Sequence, residues 1–131
     1  MSQPDHTIKG MGTFQYDVSL SSYKSTILYK EQELSITTDA SIKADMKRLT
    51  PIVKKAWEHF DELSDKALNL IAQMNPDEDV SELILSELEF DREGSFRLGF
   101  DAGDTPAGQL CIYVVFNSKL EMNSDLVYET Y

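Results

Sequence analysis

The chain has 131 residues and a mass of 14.9 kDa, room for one domain. Its 23 acidic residues against 12 basic ones give a formal net charge of −11, while 41% of residues are hydrophobic and 10% aromatic. This balance argues against a disordered, collagen-like, disulfide-stapled or membrane-embedded chain, and against a nucleic-acid binder, which needs a basic surface to meet phosphates.

Residues 1–11 are polar, contain Pro4 and Gly10 and show no period, which predicts a loosely ordered lead-in. Phe14, Tyr16, Val18 and Leu20 then alternate with Gln15, Asp17 and Ser19, the two-residue period of a half-buried strand. Two further short strands are predicted at Thr26–Lys30 and Glu33–Thr38, joined by a turn at Glu31-Gln32.

The period changes after residue 40. Ile42, Met46, Leu49, Val53, Ala56, Phe60, Leu63, Ala67, Leu70 and Met74 recur at alternating steps of four and three, one apolar stripe along a helix. Thr50-Pro51 reads as an N-cap followed by a first-turn proline, predicting a short helix near 40–49 and a longer one from Pro51 to Met74. Because the stripe keeps phase through Pro51, the reading is one long proline-interrupted helix with a kink, stopped by Asn75-Pro76. About four heptads with a proline among them fit packing on a sheet better than a coiled coil.

After Asp77-Glu78-Asp79, a hinge with a possible single helical turn at Asp79-Val80-Ser81-Glu82, strand patterns return. Ile84, Ser86, Leu88 and Phe90 alternate with Leu85, Glu87 and Glu89; a turn at Asp91–Gly94 leads into Phe96, Leu98 and Phe100, alternating with Arg97, Gly99 and Asp101. A Gly/Pro loop is predicted at 102–108, then an apolar run Leu110–Phe116, a turn at Asn117-Ser118, and strand residues at Leu120–Met122 and Leu126–Tyr131. The run at 110–116 is apolar on both alternate sets, which predicts a central strand covered front and back: by the helix on one side and by the N-terminal strands, a second subunit or a partner on the other.

The charge is uneven: residues 1–40 carry −2, residues 41–75 carry +1, and residues 76–131 carry −10. Such a C-terminal region is either a solubilising surface or a face that steers a basic partner. Cys111 has no second cysteine to pair with, the residues at the start lack the basic and apolar pattern of a secretory signal, and the longest apolar run is too short to span a bilayer as a helix. The expected compartment is the cytoplasm.

No catalytic constellation emerges. Of the two histidines, His6 lies in the lead-in and His59 on the helix, with no Cys, Ser or second His at ligand spacing. Cys111 sits in an apolar strand, where a thiol is protonated and inert. Asp101 with Asp104, and Asp91 with Glu93 and Gly94, place carboxylates on turns but do not fit a calcium loop. Gly99, Gly103 and Gly108 are not followed by a helix and so do not form a nucleotide loop. No cofactor or metal is assigned. Trp57, Phe60 and Tyr113 are the residues for an apolar pocket between helix and sheet, and Glu87, Glu89, Asp91, Glu93, Asp101 and Asp104 are the partner-facing acids.

The segment 88–104, followed by Leu110-Cys-Ile-Tyr-Val-Val-Phe-Asn, resembles small bacterial proteins grouped as domains of unknown function, the group numbered two-thousand-and-four. The resemblance implies a single domain with a helix packed on a sheet, and it extends to small acidic immunity-type proteins that neutralise toxins by binding them. Many proteins of that shape carry a Gly-His step before the apolar strand; here Gly108 precedes Gln109, and no catalytic residue carries over.

The expectation is therefore one α+β domain over residues 1–131, a mostly antiparallel twisted sheet with a long helix across one face. Its expected role is that of a non-enzymatic acidic module for a basic protein partner, of inhibitor or immunity type. The alternatives are a small-molecule-binding protein or enzyme with a pocket between helix and sheet, and a structural homodimer.

Overall fold

Alternating strands separated by tight turns pair with their neighbours in sequence, and the molecule applies this rule twice. In the computed structural model, which describes residues 5–77 and 79–131, strands β1 (His6–Ile8), β2 (Gly12–Asp17), β3 (Ser22–Tyr29) and β4 (Gln32–Thr38) form one antiparallel meander. Strands β5 (Ile84–Phe90), β6 (Phe96–Thr105), β7 (Gly108–Phe116) and β8 (Met122–Thr130) form a second. The meanders join through a parallel pairing of β4 with β5, Ser35 to Thr38 opposite Glu87 to Phe90, so the eight-stranded sheet follows chain order. A parallel pair needs a long crossover, and helices α1 (Lys43–Glu58) and α2 (Phe60–Met74) supply it. Among the described residues, no helix is long and apolar enough to cross a membrane.

Both helices press their apolar stripe onto one face of the sheet. Met46, Leu49, Val53 and Ala56 of α1 and Phe60, Leu63, Ala67 and Ile71 of α2 share one core with Leu34, Ile36, Leu88, Phe90, Leu98, Phe100, Ile112, Val114 and Phe116. The α+β class and the mostly antiparallel sheet agree with the sequence reading.

The helix boundary does not. Pro51 lies inside α1, and the Thr50 hydroxyl donates to the Met46 carbonyl instead of capping a new helix. The residues on either side of Pro51 stay in phase, so burying Met46, Leu49, Val53 and Ala56 together outweighs the roughly 3 kcal/mol of an interior proline. The break falls at His59, with φ −106° and ψ 16°, where Trp57 and Phe60 close around Tyr29 of β3 with ring centroids 4.8 to 5.9 Å apart. His59 N still donates to Lys55 O and Leu63 N to His59 O, so the hydrogen-bond ladder continues across it.

Other departures have local causes. Residues 6–8 of the expected lead-in are a strand, held because Ile8 and Met11 are buried and His6 Nε2 meets Thr50 Oγ1 at 2.8 Å; residues 1–4 and Glu78 of the expected hinge lie outside the described residues. Val18 and Leu20 are not strand residues: Asp17 accepts from Ser19 Oγ and Leu20 N, turning the chain early and leaving Val18 75% exposed. The turn before β4 is at Lys30 and Glu31, both with positive φ, one residue earlier than expected. Asp79 caps a single 3-10 turn, Val80–Glu82. A bulge between Leu85 and Glu87 shifts the phase of β5, so Leu85 packs on the core and Ile84 turns out. The expected loop at 102–108 is mostly strand: a bulge at Ala102, where Gly103 has φ +92° and donates to Asp101 Oδ1, carries β6 on to Thr105. Finally, β7 is next to the edge and not central, since only β8 lies beyond it.

Candidate functional site

Strand alternation that sends Leu88, Leu98 and Val114 to the helices sends Glu87, Glu89, Arg97, Gly99, Asp101, Cys111 and Tyr113 to the opposite face. Among the described residues, no helix or strand layer covers that face. The back of β7 is nonetheless closed. Tyr113 has no exposed surface, and Cys111 is buried.

Their cover is a network of side chains from four strands. Register aligns Glu87 of β5, Gly99 of β6, Tyr113 of β7 and Val127 of β8 in one row. A Cβ on Gly99 would stand 2.6 Å from Tyr113 Cε1 and 3.1 Å from Glu87 Cβ; the missing side chain is what lets the Tyr113 ring lie across β6 and its hydroxyl donate to Glu87. Tyr131 adds its hydroxyl at 2.8 Å from that of Tyr113. Above the ring lies Arg97, its guanidinium carbon 3.9 Å from the centroid. Arg97 Nε bonds Glu89 and Arg97 Nη1 pairs with Glu129 at 2.8 Å, so one cation spans β5 to β8.

The titrations follow from this packing. Burial and the hydrogen bond to Glu87 push the Tyr113 hydroxyl far above the usual tyrosine range. Burial, then the carboxylates of Glu87 and Asp101, push the Cys111 thiol up, which favours the neutral form. Burial works against the charge of Arg97, but Glu89 and Glu129 more than offset it. Glu87 and Glu89 already hold partners, Tyr113 is a poor acid, and Cys111 is a poor nucleophile. The cluster is held together by its own mutual bonds.

The expected site residues divide. Glu87, Glu89 and Asp101 share this face, with Asp101 accepting from Gln109 Nε2 at 2.7 Å. Asp91 and Glu93 lie instead in the β5–β6 turn, where Asp91 Oδ1 accepts from Glu93 N and Ser95 N, and Asp104 lies near the β6–β7 turn at the other end of the strands. The expected pocket of Trp57, Phe60 and Tyr113 does not exist as a unit: Trp57 and Phe60 pack on the helix face, Tyr113 on the opposite one. His6 is bonded to Thr50, and burial followed by Lys43 lowers its pKa; His59 is exposed beside Glu62. Among the described residues, no three His, Cys, Asp or Glu side chains converge as metal ligands.

Sequence reasoning missed Arg97, Glu129 and Tyr131. The available signal was a glycine in an alternating strand beside one of only three bases in residues 76–131. Where β4 and β5 end, a cleft of about 350 Å³ lined by Asp39, Asp91 and Phe96 joins the face through Glu89 and Arg97. Comparison with protein-family models, with curated proteins and with solved structures finds no match to this chain.

Proposed function

We propose that the protein is a non-enzymatic binding module, of inhibitor or immunity type, whose acidic sheet face docks a basic protein partner. The observation that carries this reading is the uncovered face itself, on which Glu33, Glu87, Glu89, Asp101 and Glu129 outnumber Lys24 and Arg97. Arg97 is held between Glu89 and Glu129, and Lys24 is paired with Asp17 at 3.3 Å, so neither cation is turned toward a partner. A rigid, like-signed face raises encounter rates with an oppositely charged surface and disfavours wrong partners. The resemblance to small immunity-type domains supports the same reading. The encounter is expected in the cytoplasm, a compartment that a single cysteine, Cys111, fits.

The experiment is affinity capture from the native host with three baits: the wild type, a face variant (Glu33→Gln with Asp101→Asn), and a helix-surface control (Asp61→Asn with Glu62→Gln). A basic protein retained by the wild type and the control, lost from the face variant and released by high salt, is the expected result. Identical capture by all three baits would overturn the reading.

A further inference from the structure

The two edges of the sheet are built differently. At one edge β1 is three residues long, and His6 is tied to Thr50. At the other, β8 is nine residues long and holds neither the lysine nor the proline that ordinarily blunts an edge. Its irregularity falls between Met122 and Leu126, which leaves Leu126 to Thr130 regular. Gln109 and Tyr131 exchange both of their backbone bonds, and such pairs alternate along an antiparallel ladder. Val127 and Glu129 therefore bond β7, while the N–H and C=O groups of Leu126, Tyr128 and Thr130 point away from it. Among the described residues, no strand lies beyond β8 to receive them.

The side chains along this edge select the occupant. Leu126 and Tyr128 stand on the helix face, opposite Val114 and Ile112, and Tyr128 is 50% exposed. Val127 and Glu129 stand on the outer face, opposite Tyr113 and Cys111. Residues 120–131 hold three acids, Glu121, Asp125 and Glu129, and no base. A second copy would set these acids against their own kind, between chains of net charge −11 each. We propose that β8 accepts an extended segment of a protein partner as a ninth strand, with apolar residues alternating with lysine or arginine. Its backbone would meet the outward groups of β8, its apolar residues would cover Leu126 and Tyr128, and its cations would lie beside Asp125 and Glu129. The inference rests on the acidic-face reading for the sign of the segment's charge, but not for its extended form.

The test titrates the isotope-labelled full chain with three capped peptides of about seven residues. One alternates lysine with valine, one alternates glutamate with valine, and one holds lysine and valine in separate blocks. The alternating lysine peptide is expected to bind saturably, about fivefold tighter than either other peptide. The amide protons of Leu126, Tyr128 and Thr130 should gain protection from exchange, with those of Val127 and Glu129 unchanged. Thr130→Pro removes one outward donor and no bond to β7, and should weaken this peptide about fivefold. Asp125→Lys, at an exposed side chain, should weaken it about threefold and narrow its lead over the glutamate peptide. Shifts that map to Glu87, Glu89 and Asp101 with no new protection in β8 would overturn the proposal and leave the acidic-face reading standing. It would also be overturned by no saturable binding, by equal binding of the three peptides, or by unchanged affinity in Asp125→Lys. Protection of β8 that rises with protein concentration alone, with dimers in light scattering, would assign the edge to a second copy and overturn it too.

Discussion

The two faces of the C-terminal half of the sheet bury their side chains by different means. On the helix face, Phe100, Ile112 and Phe116 are covered by a second layer of apolar side chains, and the stabilisation scales with the area removed from water. On the outer face Tyr113 is equally buried, but beneath one guanidinium, two carboxylate pairings and a second tyrosine. The first solution tolerates any well-shaped hydrocarbon. The second depends on particular donors, acceptors and one absent side chain, and it leaves a charged surface where the first leaves none.

Removing a large ring from the helix face should have the largest effect. Phe100→Ala is expected to cost about 3–5 kcal/mol in urea-induced unfolding, because helices and sheet cannot both close on the space. Adding one carbon to the other face should follow: Gly99→Ala drives a methyl into Tyr113 and Glu87 and is expected to cost about 1–3 kcal/mol. If Gly99→Ala is neutral, the polar cover is loose and the contrast between the faces fails. Tyr113→Phe keeps the ring and removes the bond to Glu87, for an expected loss of about 1 kcal/mol.

The same hydroxyl gives the comparison a pH signature. Burial and Glu87 raise Tyr113 above its ordinary value, and burial and Asp61 raise Tyr29 likewise. Both contributions are complete below about pH 10, where an unfolded tyrosine is also neutral, and are lost as pH rises above it. Stability measured from pH 8 upward should therefore fall near pH 10, less steeply in Tyr113→Phe. The smallest effect belongs to Asp17, partly exposed and held below its ordinary value by Ser19 and the Leu20 amide. Its contribution is present at neutral pH and lost as pH falls through the carboxylate range, so Asp17→Asn should be slightly less stable than the wild type at neutral pH and converge with it in acid.

What could be read from the sequence follows from periodicity. The stripe from Met46 to Ile71, the alternation in β6 and the unbroken apolar run of β7 are local patterns set by burial, and they gave the sheet, the helices and the buried back of Cys111 and Tyr113. Features that depend on one residue's bonds were not legible. Asp17 cut short the β2 pattern, the bulges at Ser86 and Ala102 changed phase or lengthened a strand, and Pro51 was absorbed because its neighbours bury more than it costs. The site lay between these cases. Glu87, Glu89 and Asp101 were identifiable as acids on alternating strands, but the role of Arg97 required knowing that Tyr113 leans over Gly99 toward another strand.

The parallel seam between β4 and β5 has a consequence for how the chain reaches this state. Every other pairing joins strands linked by a short turn, so each meander can zip up from its own turns, whereas the seam must wait for residues 39–83 to close into a loop. Folding speed should accordingly be governed by the helical crossover, with Val53→Ala slowing the forward rate and lesions in β8 chiefly hastening the reverse one.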